Sequence, residues 1–157
     1  MSRNESPSTV VLDPAAKEII SLLQRDGRAP YSDIAKKVGL SEAAVRQRVG
    51  KLIDSGVMQI VAVTDPSQLG FHRQAMIGIR VNGDARTVAK KLSAIEQVDY
   101  LVLTTGRFDL LAEIVCVNDQ ELREVLHGSI REIPGVLDTE TFTYLSLEKE
   151  HYDWGTR

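Results

Sequence analysis

The second half of the chain alternates between two kinds of apolar spacing, and this alternation limits the folds open to it. Strand-like segments occupy 73–81, 100–105, 108–117 and 136–150. Segments with helical apolar spacing lie between them, at 85–97 and after Asn118. The order β-α-β-β-α-β, in two halves of similar length, is the split βαβ pattern of ferredoxin-like folds. We therefore predict an antiparallel sheet with both helices on one face, and we expect its free face to bind a second copy of the chain.

Three helix patterns separated by short turns occupy the front of the chain. Asp13-Pro14 is typical of a helix start, Ser32 and Ser41 are predicted N-caps, and Gly39 is predicted to end the second helix. A short helix, a turn and a longer helix predict a helix-turn-helix. The segment VMQIVAV that follows predicts a short strand, so the domain is expected to be of the winged type.

The predicted fold class is α+β, with a winged-type helix-turn-helix domain joined to a C-terminal βαββαβ ferredoxin-like domain. The predicted segments are a disordered leader 1–10, the helix-turn-helix domain 11–63, a linker 64–72, the βαββαβ domain 73–150, and a tail 151–157. The linker assignment follows from the turn formers in TDPSQLGFH.

Basic residues concentrate around the second and third helices although the whole chain has a net charge of −3. With the apolar residues of the third helix turned inward, its outer face offers Arg and Gln side chains for base edges and Lys for phosphates. The predicted DNA-contacting residues are Ser32, Lys36, Lys37, Ser41, Glu42, Ala43, Arg46, Gln47, Arg48 and Lys51. The alternative interpretation is the solvated basic face of an ordinary three-helix bundle.

Several function classes are disfavoured by composition. The three histidines lie far apart from one another and from Cys116, so no metal site is predicted. Phosphate-binding glycine loops and nucleophile motifs are absent from the sequence, so we predict neither catalysis nor a cofactor. No run of 18 apolar residues occurs and the one cysteine cannot form an internal disulfide. The sequence indicates a cytoplasmic protein without membrane partners.

The stretch TTGRFDLLAEI, residues 104–114, predicts a β-hairpin. Gly106-Arg107 fits a two-residue turn with glycine at its first central position. In that register Thr104 faces Asp109, which brings a hydroxyl beside a carboxylate on one face of the sheet. Asp109 could then simply fix the hairpin, by accepting from the Thr104 hydroxyl or from a turn N–H.

Four stretches, in their order and separation, resemble the Lrp/AsnC (feast/famine) family of transcriptional regulators: LDPAAKEIISLLQRDGR, IAKKVGLSEAAVRQRVGKLIDSGVMQ, GRFDLLAEIV and IPGVLDTETF. The resemblance covers roughly residues 11 to 148 and implies a recognition helix from Ser41 to Lys51. It also implies a C-terminal domain of the RAM type, a homodimer that assembles to tetramers or octamers, and a small effector. Glu42 and Gly50 stand where family members often have Pro and a basic residue, so no operator sequence is transferred.

In this family the loop that matches Gly106 to Asp109 lines the effector site between dimers, and the effector is most often an amino acid. Backbone N–H groups of Gly106 and Arg107 could bind its carboxylate, while Asp109 could accept from its ammonium. The predicted effector-binding residues are Thr104, Thr105, Gly106, Arg107, Asp109 and Thr141. Alternatively, Arg107 could pair with an acidic residue of an adjacent subunit.

The sequence therefore predicts a transcriptional regulator that binds specific sequences of double-stranded DNA and senses an amino acid. One alternative is an architectural DNA-binding protein that responds to no effector. A second alternative is the amino-acid-sensing subunit of a metabolic enzyme, with the front domain serving as a protein contact.

Overall fold

The computed structural model describes residues 11–156, which divide into two compact units. The first unit extends to Ala62 and includes the residues from Lys149 onwards, and the second is Val63–Glu148. The division therefore falls beside the predicted junction at residue 63, whereas the residues after 148 group with the first unit. The predicted leader, 1–10, lies outside the described residues.

Three helices make up most of the first unit: α1 (Pro14–Arg25), α2 (Tyr31–Val38) and α3 (Glu42–Asp54). Asp13 caps α1 by accepting from the Ala16 N–H at 2.7 Å. Ser41 caps α3 in the same way, accepting from the Ala44 N–H at 3.2 Å. Gly39 ends α2 in the left-handed conformation, with φ 67°, which glycine adopts without steric cost. These helix ends confirm the predictions.

The predicted N-cap of α2 is wrong, because the helix begins one residue before Ser32. Pro30 occupies the N-cap position, and no side chain caps the helix. The Pro30 carbonyl instead accepts from the N–H groups of Asp33 and Ile34, and its φ of −60° already suits a helix start.

The strand predicted at 57–63 is also absent, so the described chain forms no wing. Ile60, Val61 and Val63 are exposed rather than buried. Apolar β-branched residues favour a strand only where a second strand supplies the hydrogen bonds, and within the described residues none pairs with this segment. The buried core of the first unit comes from the three helices, and Met58 of the 57–63 segment packs against it; the core residues are Ile19, Leu22, Leu23, Ile34, Ala35, Val45 and Val49.

The second unit has the predicted βαββαβ order. Its elements are β1 (Arg73–Val81), α4 (Ala85–Leu92), β2 (Val98–Leu103), β3 (Leu110–Cys116), α5 (Asp119–Glu124), a π-helical turn (Val125–Ile130) and β4 (Val136–Thr143). The strands lie in the order β2-β3-β1-β4, and all neighbours are antiparallel. The ferredoxin-like prediction is confirmed, although α4 and β4 end earlier than their apolar patterns suggested. Predicted linker residues Pro66–Leu69 form a single 3-10 turn.

The two faces of the sheet differ in burial. Ile77 and Ile79 of β1 are fully buried with Leu92 of α4 and Ile130 of the π-helical turn. Each such side chain contributes about 1.5–3 kcal/mol through burial. Side chains alternate along a strand, so the residues between these positions, Gly78 among them, point to the opposite face. We call that side of the sheet the free face.

Candidate DNA interface and effector hairpin

Helix α3 presents a polar outer face because its apolar residues are turned towards α1 and α2. Val45 and Val49 are almost completely buried, and Ala35 of α2 is buried in the same core. The small side chain of Ala35 lets two helices approach closely, as a helix-turn-helix requires. This packing confirms the inward positions predicted for Val45 and Val49, whereas Ile53 of α3, also predicted to point inward, is 41% exposed.

Most of the predicted DNA-contacting residues lie on exposed positions of α2 and α3. The exposed members are Lys36, Lys37, Ser41, Glu42, Ala43, Arg46, Gln47 and Lys51, and the half-buried members are Ser32 and Arg48. The structure therefore brings these residues onto one helix pair, with Ser41 at the start of α3, where free N–H groups favour an anion.

Two of the exposed cations already have carboxylate partners. Lys36 Nζ lies 2.9 Å from Asp33 Oδ1 within α2, and an Arg46 guanidinium nitrogen lies 2.9 Å from Glu42 Oε1 within α3. The Arg46 guanidinium carbon also lies 5.2 Å from the centre of the Tyr31 ring. Neither the Glu42 pair nor the Tyr31 contact was predicted, although a Glu four residues before an Arg on a helix is a recognisable pairing signal.

Arg48 joins α3 to the start of α1. Its guanidinium lies 2.6 Å from Asp13 Oδ2, while the other oxygen of the same carboxylate caps α1. The Ala16 N–H, followed by Arg48, lowers the pKa of Asp13. Arg48 is thus a link between two helices, and a phosphate at this position would compete with Asp13.

The predicted hairpin forms with a wider loop than expected. Leu103 and Leu110 are its last paired residues, which leaves 104–109 between the strands. The Thr104 N–H donates to the Asp109 carbonyl at 2.9 Å, so the predicted opposition of these two residues is confirmed. The two-residue turn at Gly106-Arg107 is wrong. Gly106 still has a φ of 139°, within the region that favours glycine.

The ring of Phe108, a residue of this loop, covers Gly78 on the free face. A Cβ at Gly78 would lie 2.7 Å from the Phe108 ring atoms, so only glycine fits beneath it. The ring also meets Phe142 edge to face, with centroids 6.1 Å apart. A glycine inside an apolar strand was the sequence signal for this close approach.

Arg107 contacts both the neighbouring strand β4 and Phe108 of the same loop. Its guanidinium lies 2.8 Å from Glu140 of β4 and 5.3 Å from the centre of the Phe108 ring. The acidic partner is thus in the same chain, whereas the alternative considered from the sequence was an acidic residue of an adjacent subunit. The pair is exposed, so its contribution to stability is small.

The side chain and the N–H group of Asp109 are bonded to β1 rather than to its own hairpin. Its N–H donates to the Ile79 carbonyl at 2.9 Å, and its Oδ2 accepts from the Val81 N–H at 2.7 Å. The Thr104 hydroxyl instead donates to the Phe108 carbonyl at 2.6 Å, so the predicted bond from this hydroxyl to the carboxylate is wrong. The residue is exposed, and its Oδ1 accepts no hydrogen bond from any described residue.

The two other predicted effector residues lie on different parts of the fold. Thr105 is exposed in the loop beside Gly106. Thr141 pairs with Ile77, which points into the core, so Thr141 belongs to the helix-covered face. Within one chain, Thr141 and the Phe108 ring are therefore on opposite faces of the sheet.

One of the carboxylates on the free face, that of Glu113, lies between Met76 of β1 and Tyr100 of β2. Glu113 of β3 accepts from Gln74 Nε2 at 2.8 Å and bonds Tyr144. Burial, reinforced by Glu113, raises the pKa of Tyr144 to about 12. Because these polar groups satisfy one another within the chain, the face can be covered without leaving them unpaired.

Other reactive groups in the described chain are either buried or isolated. Burial, followed by Glu121, raises the pKa of the Cys116 thiol to about 11, so this thiol stays protonated at neutral pH. Within residues 11–156, no group of three His, Cys, Asp or Glu side chains could hold a metal ion. None of the helices in this part of the chain is long and apolar enough to cross a membrane.

Comparisons with known proteins agree with this two-domain arrangement. The AsnC-type helix-turn-helix domain model matches residues 12–53, and the Lrp/AsnC ligand binding domain model matches residues 74–154. The HTH-type transcriptional regulator FL11 of Pyrococcus horikoshii is 38% identical over 143 residues, which cover 90% of this chain and 94% of that protein. The regulator LysM of Sulfurisphaera tokodaii is 32% identical over 138 residues, which cover 87% and 96%.

Solved structures of similar proteins share the fold. E. coli AsnC superposes with a TM-score of 0.79 at 26% identity, covering 90% of this chain and 97% of that one. A Neisseria meningitidis transcriptional regulator solved in complex with L-Met gives 0.79 at 23%, covering 91% and 96%. A helix-turn-helix domain followed by a βαββαβ ligand-binding domain defines a class of transcriptional regulators. This chain belongs to the Lrp/AsnC family of that class.

Proposed function

We propose that the protein regulates transcription by binding specific DNA sequences through α3, and that an amino acid binding at the 104–109 loop modulates this activity. The observation that carries the effector proposal is the Asp109 carboxylate. It is exposed, one oxygen is fixed by the Val81 N–H, and the other accepts no hydrogen bond from the described residues. Because one carboxylate oxygen is fixed and the other is available, this carboxylate can bind a cationic group without first breaking an existing hydrogen bond.

On the DNA side, we assign two kinds of contact to the outer face of α3 and α2. Arg46 and Gln47 are assigned to base edges in the major groove, where their side chains can donate hydrogen bonds. Lys51 is assigned to phosphates, because its ammonium is a donor only. The proposed phosphate contacts are Ser32, Lys36, Lys37, Ser41, Arg48 and Lys51. Ala43 is small enough to let the helix approach the base edges closely.

On the effector side, the proposed amino acid places its ammonium on Asp109 Oδ1 and its carboxylate on backbone N–H groups of Gly106 and Arg107. Gly106 has no side chain to obstruct that approach, and its loop is exposed. Thr104, Thr105 and Thr141 remain proposed members of the site, contributed by one or more subunits. A regulator of the same fold binds L-Met, which supports an amino acid as the ligand class.

The free face supports a homodimer as the assembly unit. Apolar or aromatic side chains on it are exposed or only half-buried, as expected for a surface that a partner covers: Tyr100, Val102, Leu111 and Phe142. Dimers would then associate into tetramers or octamers, with effector sites between them. For effector binding to change DNA binding, the effector must bind two assembly states with different affinity.

This proposal is tested by selecting duplexes from a randomised library with the full chain, in the presence and absence of the twenty amino acids. We expect one sequence to be enriched and at least one amino acid to change the affinity for that sequence. Equal binding to all duplexes, unaffected by any amino acid, would support the architectural alternative. A failure to bind any duplex at low salt would contradict the regulator and support the enzyme-subunit alternative.

A further inference from the structure

Arg46 is restrained by two side chains from two different helices. Glu42, one turn earlier on α3, forms the 2.9 Å ion pair, and Tyr31, the first residue of α2, lies with its ring 5.2 Å from the guanidinium carbon. The Arg46 side chain nevertheless remains 66% exposed. The Arg46 side chain is therefore held in one orientation while it stays accessible. A long solvated side chain without such contacts samples many rotamers.

The Glu42 carboxylate disfavours the binding of a DNA phosphate beside Arg46. A phosphate that accepts from Arg46 would lie near the Glu42 carboxylate, and the two negative charges repel. Glu42 also lies in the first turn of α3, where its charge interacts with the same N–H groups that would otherwise attract phosphate. Non-specific DNA contact through this end of the helix is thereby weakened.

A G·C base pair can satisfy both charged groups. Guanine presents two acceptors, O6 and N7, which suit the two-pronged guanidinium of Arg46, and cytosine presents an N4 donor that suits a carboxylate. The Tyr31 ring contacts the guanidinium through a cation–π interaction, which occupies none of its N–H donors.

We propose that Tyr31, Glu42 and Arg46 act as one base-selecting cluster, in which Glu42 is a specificity determinant and Tyr31 is a positioning residue. Arg46 donates to guanine. Glu42 accepts from cytosine and penalises phosphate. This inference rests on the proposed sequence-specific binding. In it, a carboxylate, rather than additional positive charge, makes the protein prefer its specific sequence to random DNA.

The first test compares Glu42→Gln with wild type on two probes: the duplex that wild type enriches from the randomised library, and a random-sequence duplex. Because Gln keeps the shape but removes the charge, we expect tighter binding to the random duplex and no gain on the selected one. The ratio of the two dissociation constants should fall about tenfold.

Asp33→Asn is the matched control, because it removes a carboxylate that is paired with Lys36 at the same 2.9 Å, on α2 rather than on the recognition helix. It should change both dissociation constants by the same factor. An unchanged ratio in Glu42→Gln, or an equal fall in the two variants, would overturn the inference while leaving the proposed function intact. A wild type that enriches no sequence would overturn both.

The second test separates positioning by Tyr31 from a purely structural role. Tyr31 also packs against the core of the first unit, so Tyr31→Leu keeps an apolar side chain there but removes the ring face, whereas Tyr31→Phe keeps both. Tyr31→Phe should bind the selected duplex like wild type. Tyr31→Leu should lose affinity for the selected duplex about fivefold or more while its affinity for the random duplex is unchanged. Equal losses on both duplexes, with a lowered melting temperature, would show that the tyrosine is only structural.

Discussion

Val102→Lys is expected to disrupt the proposed dimer and leave the protein monomeric. Val102 is a half-buried residue of β2 that pairs with Leu111, so both side chains lie on the free face. If this face packs against a second copy, the lysine must bring an ammonium into an apolar contact. Truncating or charging a central interface residue costs about 2–4 kcal/mol, which weakens the dimer about 30- to 700-fold.

The matched control is the next residue of the same strand. Leu103 pairs with Leu110, which lies in the core on the helix-covered side, and its own side chain is 53% exposed. Leu103→Lys therefore makes the same change on the same strand without charging the free face. Sedimentation velocity should find Leu103→Lys in the wild-type assembly and Val102→Lys as a monomer. Equal assembly of the two variants would exclude the free face as the interface.

Arg46→Ala is expected to reduce binding to the selected duplex far more than binding to random DNA. A bidentate contact to guanine contributes about 1–3 kcal/mol of discrimination, so affinity for the selected duplex should fall about 5- to 150-fold. Random DNA should be affected much less, because Glu42 already offsets the charge of Arg46 at 2.9 Å. The measurement is fluorescence anisotropy of labelled duplexes over a range of salt concentrations.

Lys51→Ala is the contrasting variant within α3. Lys51 is exposed, and no described carboxylate lies within ion-pair distance of it, so it is free to neutralise a phosphate. We expect both duplexes to bind more weakly by a similar factor. The slope of the logarithm of the binding constant against the logarithm of the salt concentration should become shallower by about one. If Arg46→Ala behaved in the same way as Lys51→Ala, Arg46 would be a phosphate contact and the assignment of base contacts to α3 would be wrong.

The parts of the fold that the sequence predicts correctly are those with local causes. Asp13, Gly39 and Ser41 act on the helix that they begin or end, so their roles are visible within a few residues. The βαββαβ order was likewise readable, because strand and helix spacing differ over short windows. The strand predicted at 57–63 failed because a strand also needs a partner, which spacing alone does not provide.

The parts of the site that sequence reasoning missed depend on residues distant along the chain. Phe108 covers Gly78, and Arg48 binds Asp13, which are pairs separated by 30 and 35 positions. Asp109 and Val81, which join through the Val81 N–H, are separated by 28 positions. Such contacts follow from strand order and helix packing, so residue type and spacing could mark Asp109 as unusual without identifying its partner.

The structure also changes how Asp109 must be tested. Because Oδ2 accepts from the Val81 N–H, Asp109→Ala removes a structural bond together with the charge. Asp109→Asn keeps an amide oxygen that can accept from Val81, but it lacks the negative charge that an ammonium requires. The asparagine variant therefore isolates the proposed ligand contact, and the alanine variant reports the structural one through a lower melting temperature without ligand.

The measurement that tests the account most directly is thermal unfolding of wild type and Asp109→Asn against each of the twenty amino acids. A ligand present at about 100 times its Kd adds roughly 2.7 kcal/mol to the free energy of unfolding. We predict that one or a few amino acids raise the melting temperature of wild type, and that Asp109→Asn unfolds near wild type without ligand but loses this increase. A full increase in Asp109→Asn, or no increase in wild type with any amino acid, would contradict the proposed effector site.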